Sequence, residues 1–322
     1  MTTYKGTIML KEDFNPEKAC IRFRKAMKGM GTDAHMVIQQ LVNHQNIQRQ
    51  EIKEMYMSMY GRDLVQDLKD ELGGTFEEAV VAMLESPYDL LVGALHDALT
   101  SLGTDEKALI DILCCRTPEE IEGLRSYYER RQQHEYSESN NNMSTVSRTG
   151  DFKMLMRSLV AAGRDENQTV DSPTAKNDAQ ILYDSGVGKN NDTDEEEFIR
   201  ILNTRSFPQL QETFEEYQRL AGAPIEDALS EEFNGDMKNG LLAIVQRVRD
   251  PLGFYAERLN QTMVGAGTDD NTLIRILVSR SEVDLADIRT RYQEMYGKEL
   301  AEDVRDDTQG EYRKLLLAII GN

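Results

Sequence analysis

A tripeptide that returns at long, similar intervals limits the fold more than any other feature of this chain. Gly-Thr-Asp stands at Gly31-Thr32-Asp33, Gly103-Thr104-Asp105 and Gly267-Thr268-Asp269, and Asp192-Thr193-Asp194 is an altered fourth copy. The copies start 72, 89 and 75 residues apart in a chain of 322 residues. Thirteen residues after each first position come His44, Arg116, Arg205 and Arg280. Forty residues after three of the four come Glu71, Glu232 and Asp307, and a glycine follows three residues later at Gly74, Gly235 and Gly310. The second copy ends as Ser147-Arg148-Thr149-Gly150, displaced by four residues. Several spacings coinciding in this way describe a four-repeat protein.

Each repeat reads as helical. Ala19, Cys20, Phe23, Ala26 and Met27 recur at intervals of three and four, which forms one apolar helix face. Asn15-Pro16, Ser86-Pro87, Ser172-Pro173 and Asp250-Pro251 each place a capping residue before proline, the pairing that opens a helix. A glycine loop follows, and Thr-Asp then caps a second helix. A third covers 47–60 and its equivalents, a short fourth ends at the acidic residue, and a fifth follows the glycine. Five short helices per repeat without a strand-rich segment predict an all-α fold. The expected divisions are a head at 1–13 and repeats at 14–86, 87–162, 172–249 and 250–322, with a connector at 163–171. The polar stretch from Gly163 to Ser172 reads as the link between two halves. Residues 132–147, rich in Asn and Ser, read as a loop where repeat two should carry its fourth helix, and four extra residues there displace its ending.

The glycine loops carry the chemistry. In Met27-Lys28-Gly29-Met30-Gly31-Thr32, two glycines one residue apart allow positive φ, so several carbonyl oxygens can turn toward one point. A Ca²⁺ ion takes six to eight oxygens at ~2.3–2.6 Å, some of them neutral carbonyls, and a carboxylate closes the shell. Glu71 can do so if the fourth helix folds back beside the loop. The same set recurs as Met263, Gly265, Gly267 and Asp307. An EF-hand would gather its carboxylates within twelve residues, and no such stretch exists here.

This loop, followed 40 residues later by a carboxylate, resembles the annexin calcium site, and Leu273 to Glu282 resembles the start of an annexin fourth repeat. The resemblance covers the chain from Phe14 to its end. It implies a curved disc of four five-helix repeats with calcium loops on the convex face. It also implies reversible, calcium-dependent binding to phosphatidylserine-type membranes, with Ca²⁺ bridging loop oxygens to lipid phosphates. Residue by residue, Met27, Gly29, Gly31 and Glu71 match in the first repeat, and Met263, Gly265, Gly267 and Asp307 in the fourth. In the second, Ser101 replaces the first glycine and Ser147 takes the carboxylate position, so that site reads as lost. In the third, a loop with one extra residue contains Asn190 and Asp192, and Glu232 is retained. Secondary sites of the family, a threonine carbonyl with an acid two residues on, match Thr104 with Glu106, Thr193 with Glu195, and Thr268 with Asp270. Asp111, Arg116 and Arg275 match charged residues lining the centre of the annexin disc, and buried ion pairing is their plainer reading.

Composition agrees with this reading. Lys and Arg number 37 against 57 Asp and Glu, a net charge of −20. That balance argues against a nucleic-acid partner. An anionic bilayer would repel it at roughly 0.7 kcal/mol per surface charge, so membrane binding needs a bridging cation. Three cysteines make neither a disulfide framework nor a metal set, which suits a cytoplasmic protein with reduced thiols. No apolar leader or span is evident at the sequence level. The four histidines accompany no nucleophile, P-loop or zinc spacing, so no enzyme is expected. A monomer in solution is expected, with assembly on membranes and a protein partner at the head both open. The rival function is a calcium-independent helical-repeat scaffold for another protein.

Overall fold

The computed structural model describes residues 4–29, 31–100, 104–134, 150–161, 163–186 and 193–321. These residues form nineteen α-helices and no strand. Repeat one holds α1 (Pro16–Ala26), α2 (Ala34–Val42), α3 (Asn46–Tyr60), α4 (Leu64–Glu71) and α5 (Gly74–Leu84). Repeat two holds α6 (Pro87–Thr100), α7 (Glu106–Leu113), α8 (Pro118–His134) and α9 (Gly150–Val160). Repeat three holds α10 (Ser172–Ser185), α11 (Glu195–Thr204), α12 (Phe207–Ala221), α13 (Ile225–Glu232) and α14 (Gly235–Arg249). Repeat four holds α15 (Pro251–Met263), α16 (Asp270–Arg280), α17 (Leu285–Tyr296), α18 (Leu300–Asp307) and α19 (Gly310–Ile320).

Local chemistry sets these boundaries. Asn15 accepts from the Lys18 amide at 2.8 Å, satisfying one of the orphan donors at the start of α1. At α10 the start shifts by one residue, so Ser172 is already helical and Asp171 precedes it. The third helices α3, α12 and α17 stop at Gly61, Gly222 and Gly297, each left-handed. Repeat two has Gln133 in that place, and α8 runs on to His134. Residues 132–134 are therefore helical rather than part of the expected loop, and 135–149 lie outside the described residues.

The chain divides into two compact units: one contains 1–90 and 252–322, the other 91–251. In the first, α19 packs on α2 and α5, and α16 packs on α5, so repeats one and four share a core. Phe23, Tyr56, Leu277, Tyr292 and Leu316 are fully buried there. Arg49, only 1% exposed, fastens this core by donating to the Met83 carbonyl at 2.5 Å and to Glu282 at 3.0 Å. In the second unit α14 packs on α7, α9 and α12, and α10 runs along α12. The connector belongs wholly to this unit. Asp165 N donates to Thr204 O at 2.7 Å, and Asp171 N donates to Gln209 Oε1 at 2.8 Å. It joins two repeats that share a core and is not a boundary between halves. No helix among the described residues is long and apolar enough to cross a membrane.

The head is held down in the first unit. Thr7 and Ile8 amides donate to the Ser281 carbonyl at 2.7 and 3.0 Å, and Ala286 N donates to Lys5 O at 3.0 Å. Lys11 and Gln48 bond reciprocally at 3.1 and 2.8 Å. A partner protein at the head would compete with these bonds. Gly6 permits the approach, because a Cβ there would stand 2.6 Å from Ser281 O and from the Glu282 carbonyl carbon. Gly6→Ala should therefore release the head at a cost of about 1–3 kcal/mol. Amide exchange at Thr7 and Ile8 should rise about tenfold or more while α1 keeps its protection. Unchanged exchange at both amides would show that the contact is not held this tightly.

Candidate metal centres in the glycine loops

The glycine loops are pinned at both ends. Asp33 N donates to Ala26 O at 2.9 Å, Asp105 N to Ala98 O at 3.0 Å, and Asp269 N to Thr262 O at 2.9 Å, each bridging seven residues. The same aspartates cap the following helices, accepting from Met36, Ala108 and Thr272 amides at 3.0, 3.0 and 3.1 Å. In repeat three the equivalent bond runs from Asp194 N to Ser185 O at 2.9 Å and bridges nine residues. That loop is thus longer by two residues, where the sequence spacing suggested one.

Within the first and fourth loops the glycines take the backbone that other residues avoid. Gly29 and Gly31 have φ of 118° and 88°, and Gly265 and Gly267 have 110° and 94°. Among the described residues, no backbone N–H donates to the carbonyls of Met27, Gly29, Gly31, Met263, Gly265 or Gly267. These oxygens remain open to another electropositive partner.

The acid arrives on the fourth helix. Glu71, Glu232 and Asp307 are the last residues of α4, α13 and α18, each eight residues long. A hydrogen bond ties each acid to its loop threonine. Thr32 Oγ1 donates to Glu71 Oε2 at 3.4 Å, and Thr268 Oγ1 donates to Asp307 Oδ2 at 2.5 Å. Thr193 Oγ1 donates to Glu232 Oε2 in the same way. Two helix C-termini therefore meet at each place, one opening into the loop and one carrying the acid, and both dipoles favour a cation.

These donors are oxygens only. Among the described residues no group of three or more His, Cys, Asp or Glu is placed to hold a metal. One carboxylate with several neutral carbonyls fits a hard cation of the Ca²⁺ type, not a soft metal seeking nitrogen or sulfur. Val264, beside Gly265 in the fourth loop, is 68% exposed and presents an apolar side chain there.

Other expected positions are less complete. Ser101, Gly103, Ser147, Asn190 and Asp192 lie outside the described residues. Thr104 and Glu106 flank Asp105 at the start of α7. Asp270 opens α16, and burial together with the nearby Asp270 carboxylate holds the Tyr312 phenol above its usual range. Asp111, Arg116 and Arg275 are all buried. Arg116 bonds Glu120 at 3.1 Å, and Arg275 bonds Thr272 Oγ1 at 3.1 Å. Sequence reasoning did not anticipate the role of the threonine hydroxyl. Its signal was present, since a threonine precedes the capping aspartate in every copy.

Comparison with known proteins points to one family. The annexin family model matches residues 18–83, 92–139, 177–244 and 254–319. Human (Homo sapiens) annexin A11 is 42% identical over 317 residues, which cover 98% of this chain and 62% of that protein. The chain thus spans about three fifths of that relative's length. The solved structure of annexin III superposes with a TM-score of 0.94 at 39% identity, covering 99% of this chain and 98% of that one. A calcium-bound annexin (Sm)1 structure superposes at 0.89 with 30% identity, covering 100% of this chain and 94% of that one. With four matched repeats and a shared fold, this chain belongs to the annexin family, known as calcium-dependent phospholipid-binding proteins.

Proposed function

We propose that this protein binds anionic phospholipid surfaces reversibly, through Ca²⁺ held in the loops of repeats one and four. The observation that carries the reading is the Thr32–Glu71 and Thr268–Asp307 contact, which sets one carboxylate against a loop of unclaimed carbonyls. Met27, Gly29 and Gly31 with Glu71, and Met263, Gly265 and Gly267 with Asp307, would hold the ion. When bound, Ca²⁺ supplies positive charge that lipid phosphate oxygens can complete. The chain's own contribution is to fix the loop ends, hold the acid on a rigid helix and keep the carbonyls free of internal donors. In this reading the protein is cytosolic and not an enzyme, and it becomes peripheral at membranes when calcium rises.

Co-sedimentation with phosphatidylserine vesicles tests the proposal. Pelleting should require calcium and reverse with chelator, because a net charge of −20 opposes the bilayer until cations bridge the two. Equal pelleting in excess chelator would favour the protein-scaffold reading instead. Without lipid, calcium affinity should be weak, on the order of 10⁻⁴ M or worse, since phosphate oxygens are missing from each shell.

Repeat three is the open position. Glu232 keeps its bond to Thr193, which supports a third site closed by Asn190 and Asp192. Glu232→Gln should then raise the calcium needed for half-maximal vesicle binding, as Glu71→Gln does. No shift would assign Glu232 to holding its loop alone. The secondary sites at Thr104 and Glu106, at Thr193 and Glu195, and at Thr268 and Asp270 are proposed as weaker, exposed calcium positions.

A further inference from the structure

The second unit contains a cavity of about 450 Å³ beside the connector, of the size that small organic ligands occupy. In a chain of net charge −20, three arginines, Arg164, Arg247 and Arg249, line it. Arg249 has a carboxylate partner, since its Nε lies 2.6 Å from Glu226 Oε1. Arg164 and Arg247 have none among the described residues. Arg164 donates only to the Arg205 carbonyl at 2.7 Å, and Arg247 to the Cys115 carbonyl at 3.3 Å. Arg164 is 8% exposed, and its Nη2 is buried without a hydrogen-bond partner.

A buried cation without a counter-charge is costly, and a second, half-buried cation beside it adds to that cost. Both sit over the Phe207 ring, with Cζ 4.5 Å and 5.2 Å from its centroid, which offsets part of that cost. Burial and the Arg247 charge push the Arg164 guanidinium down to about 10. Asp165 and Glu166 also line the cavity, and both are exposed. Asp165 Oδ1 accepts from the Asn167 amide at 3.0 Å. The remaining wall includes the apolar side chains of Pro208 and Val248. The space is larger than a bare oxyanion needs, and an apolar wall beside paired arginines suits an organic group attached to one.

We propose that this cavity binds a small soluble phosphate monoester bearing an apolar or ring group, with Arg164 and Arg247 holding the phosphate. Guanidinium groups present paired donors that match phosphate oxygens, and a dianionic monoester neutralises both cations. The site shares no residue with the glycine loops, so it does not depend on calcium.

Isothermal titration with phenyl phosphate in excess chelator is the test. The intact chain should bind one equivalent, and Arg247→Gln should weaken binding about tenfold or more. Arg247 is the variant of choice because it is only half-buried, and an unchanged circular dichroism melt shows that the fold survives. Arg164→Gln should act in the same direction. Inorganic phosphate should bind more weakly than phenyl phosphate, and the diester glycerophosphoserine more weakly still. Absence of binding at millimolar phenyl phosphate would overturn the proposal. Binding untouched by Arg247→Gln would overturn it too. Tighter binding of the diester would move the site to lipid head groups and overturn the monoester assignment.

Discussion

Replacing Glu71 by Gln and Asp307 by Asn together should leave vesicle binding almost unresponsive to calcium across the range in which the parent saturates. Each change keeps the size of the side chain and removes one ligand charge. Losing a charged partner of this kind costs roughly 1.5–3 kcal/mol. Since about 1.4 kcal/mol is tenfold in affinity, either single variant should need about tenfold more calcium or beyond. The double variant should fall much further than either, because two loops engaging one bilayer reinforce each other through effective concentration. The threonine bonds sharpen the expectation. Thr268 holds Asp307 at 2.5 Å, whereas Thr32 reaches Glu71 at 3.4 Å, so the fourth acid is the better positioned of the two. Asp307→Asn should accordingly cost more than Glu71→Gln. Ser147→Ala should change nothing measurable, since a serine hydroxyl is a poor calcium ligand. Co-sedimentation over a calcium series reads all four variants. A double variant that binds like the parent would remove these acids from the mechanism.

The periodic features of the sequence carried most of the architecture. Capping pairs before proline located the first helices, and the acid at plus 40 coincided with the last residue of the short fourth helix. Both signals are local, so they survive without knowledge of the packing. Positive φ at Gly29, Gly31, Gly265 and Gly267 was likewise readable, because few other residues adopt it. Pairing between distant residues was not readable. The sequence linked repeats two and three through a polar segment that looked like a division, yet that segment is bonded into their common unit. Nor did it show that the head lies on repeat four, since the bonds involved, several of them between backbone groups alone, join residues separated by more than 270 positions. Arg116, Arg205 and Arg280 share one position in the repeat but choose different partners. Arg116 and Arg280 turn to acids four residues on, whereas Arg205 reaches back to Asp178 on the first helix of its repeat. In repeat one His44 occupies the position, buried against the Gln40 carbonyl at 2.7 Å. Periodicity marks such a place, and only packing decides what it touches.

Arg205 should prove the more consequential member of its pair for stability. Asp178 is completely buried, and Arg205 grips it at two points, Nε to Oδ2 at 2.6 Å and Nη2 to Oδ1 at 3.0 Å. The Arg205 side chain itself is 32% exposed. Removing the arginine would strand a carboxylate that water cannot reach, a loss of about 3–5 kcal/mol. That is a large share of the roughly 5–15 kcal/mol that separates folded from unfolded domains. Removing the aspartate would leave a guanidinium already part-hydrated, so Asp178→Leu should cost less than Arg205→Leu. The double variant, with leucine at both positions, should recover most of the loss, because a buried ion pair often does little better than apolar side chains of similar volume. Urea denaturation followed by circular dichroism would order the four proteins by midpoint. Should Asp178→Leu prove the more damaging single change, the stranded-carboxylate account fails, and packing of the aspartate against α12 would carry the stability instead.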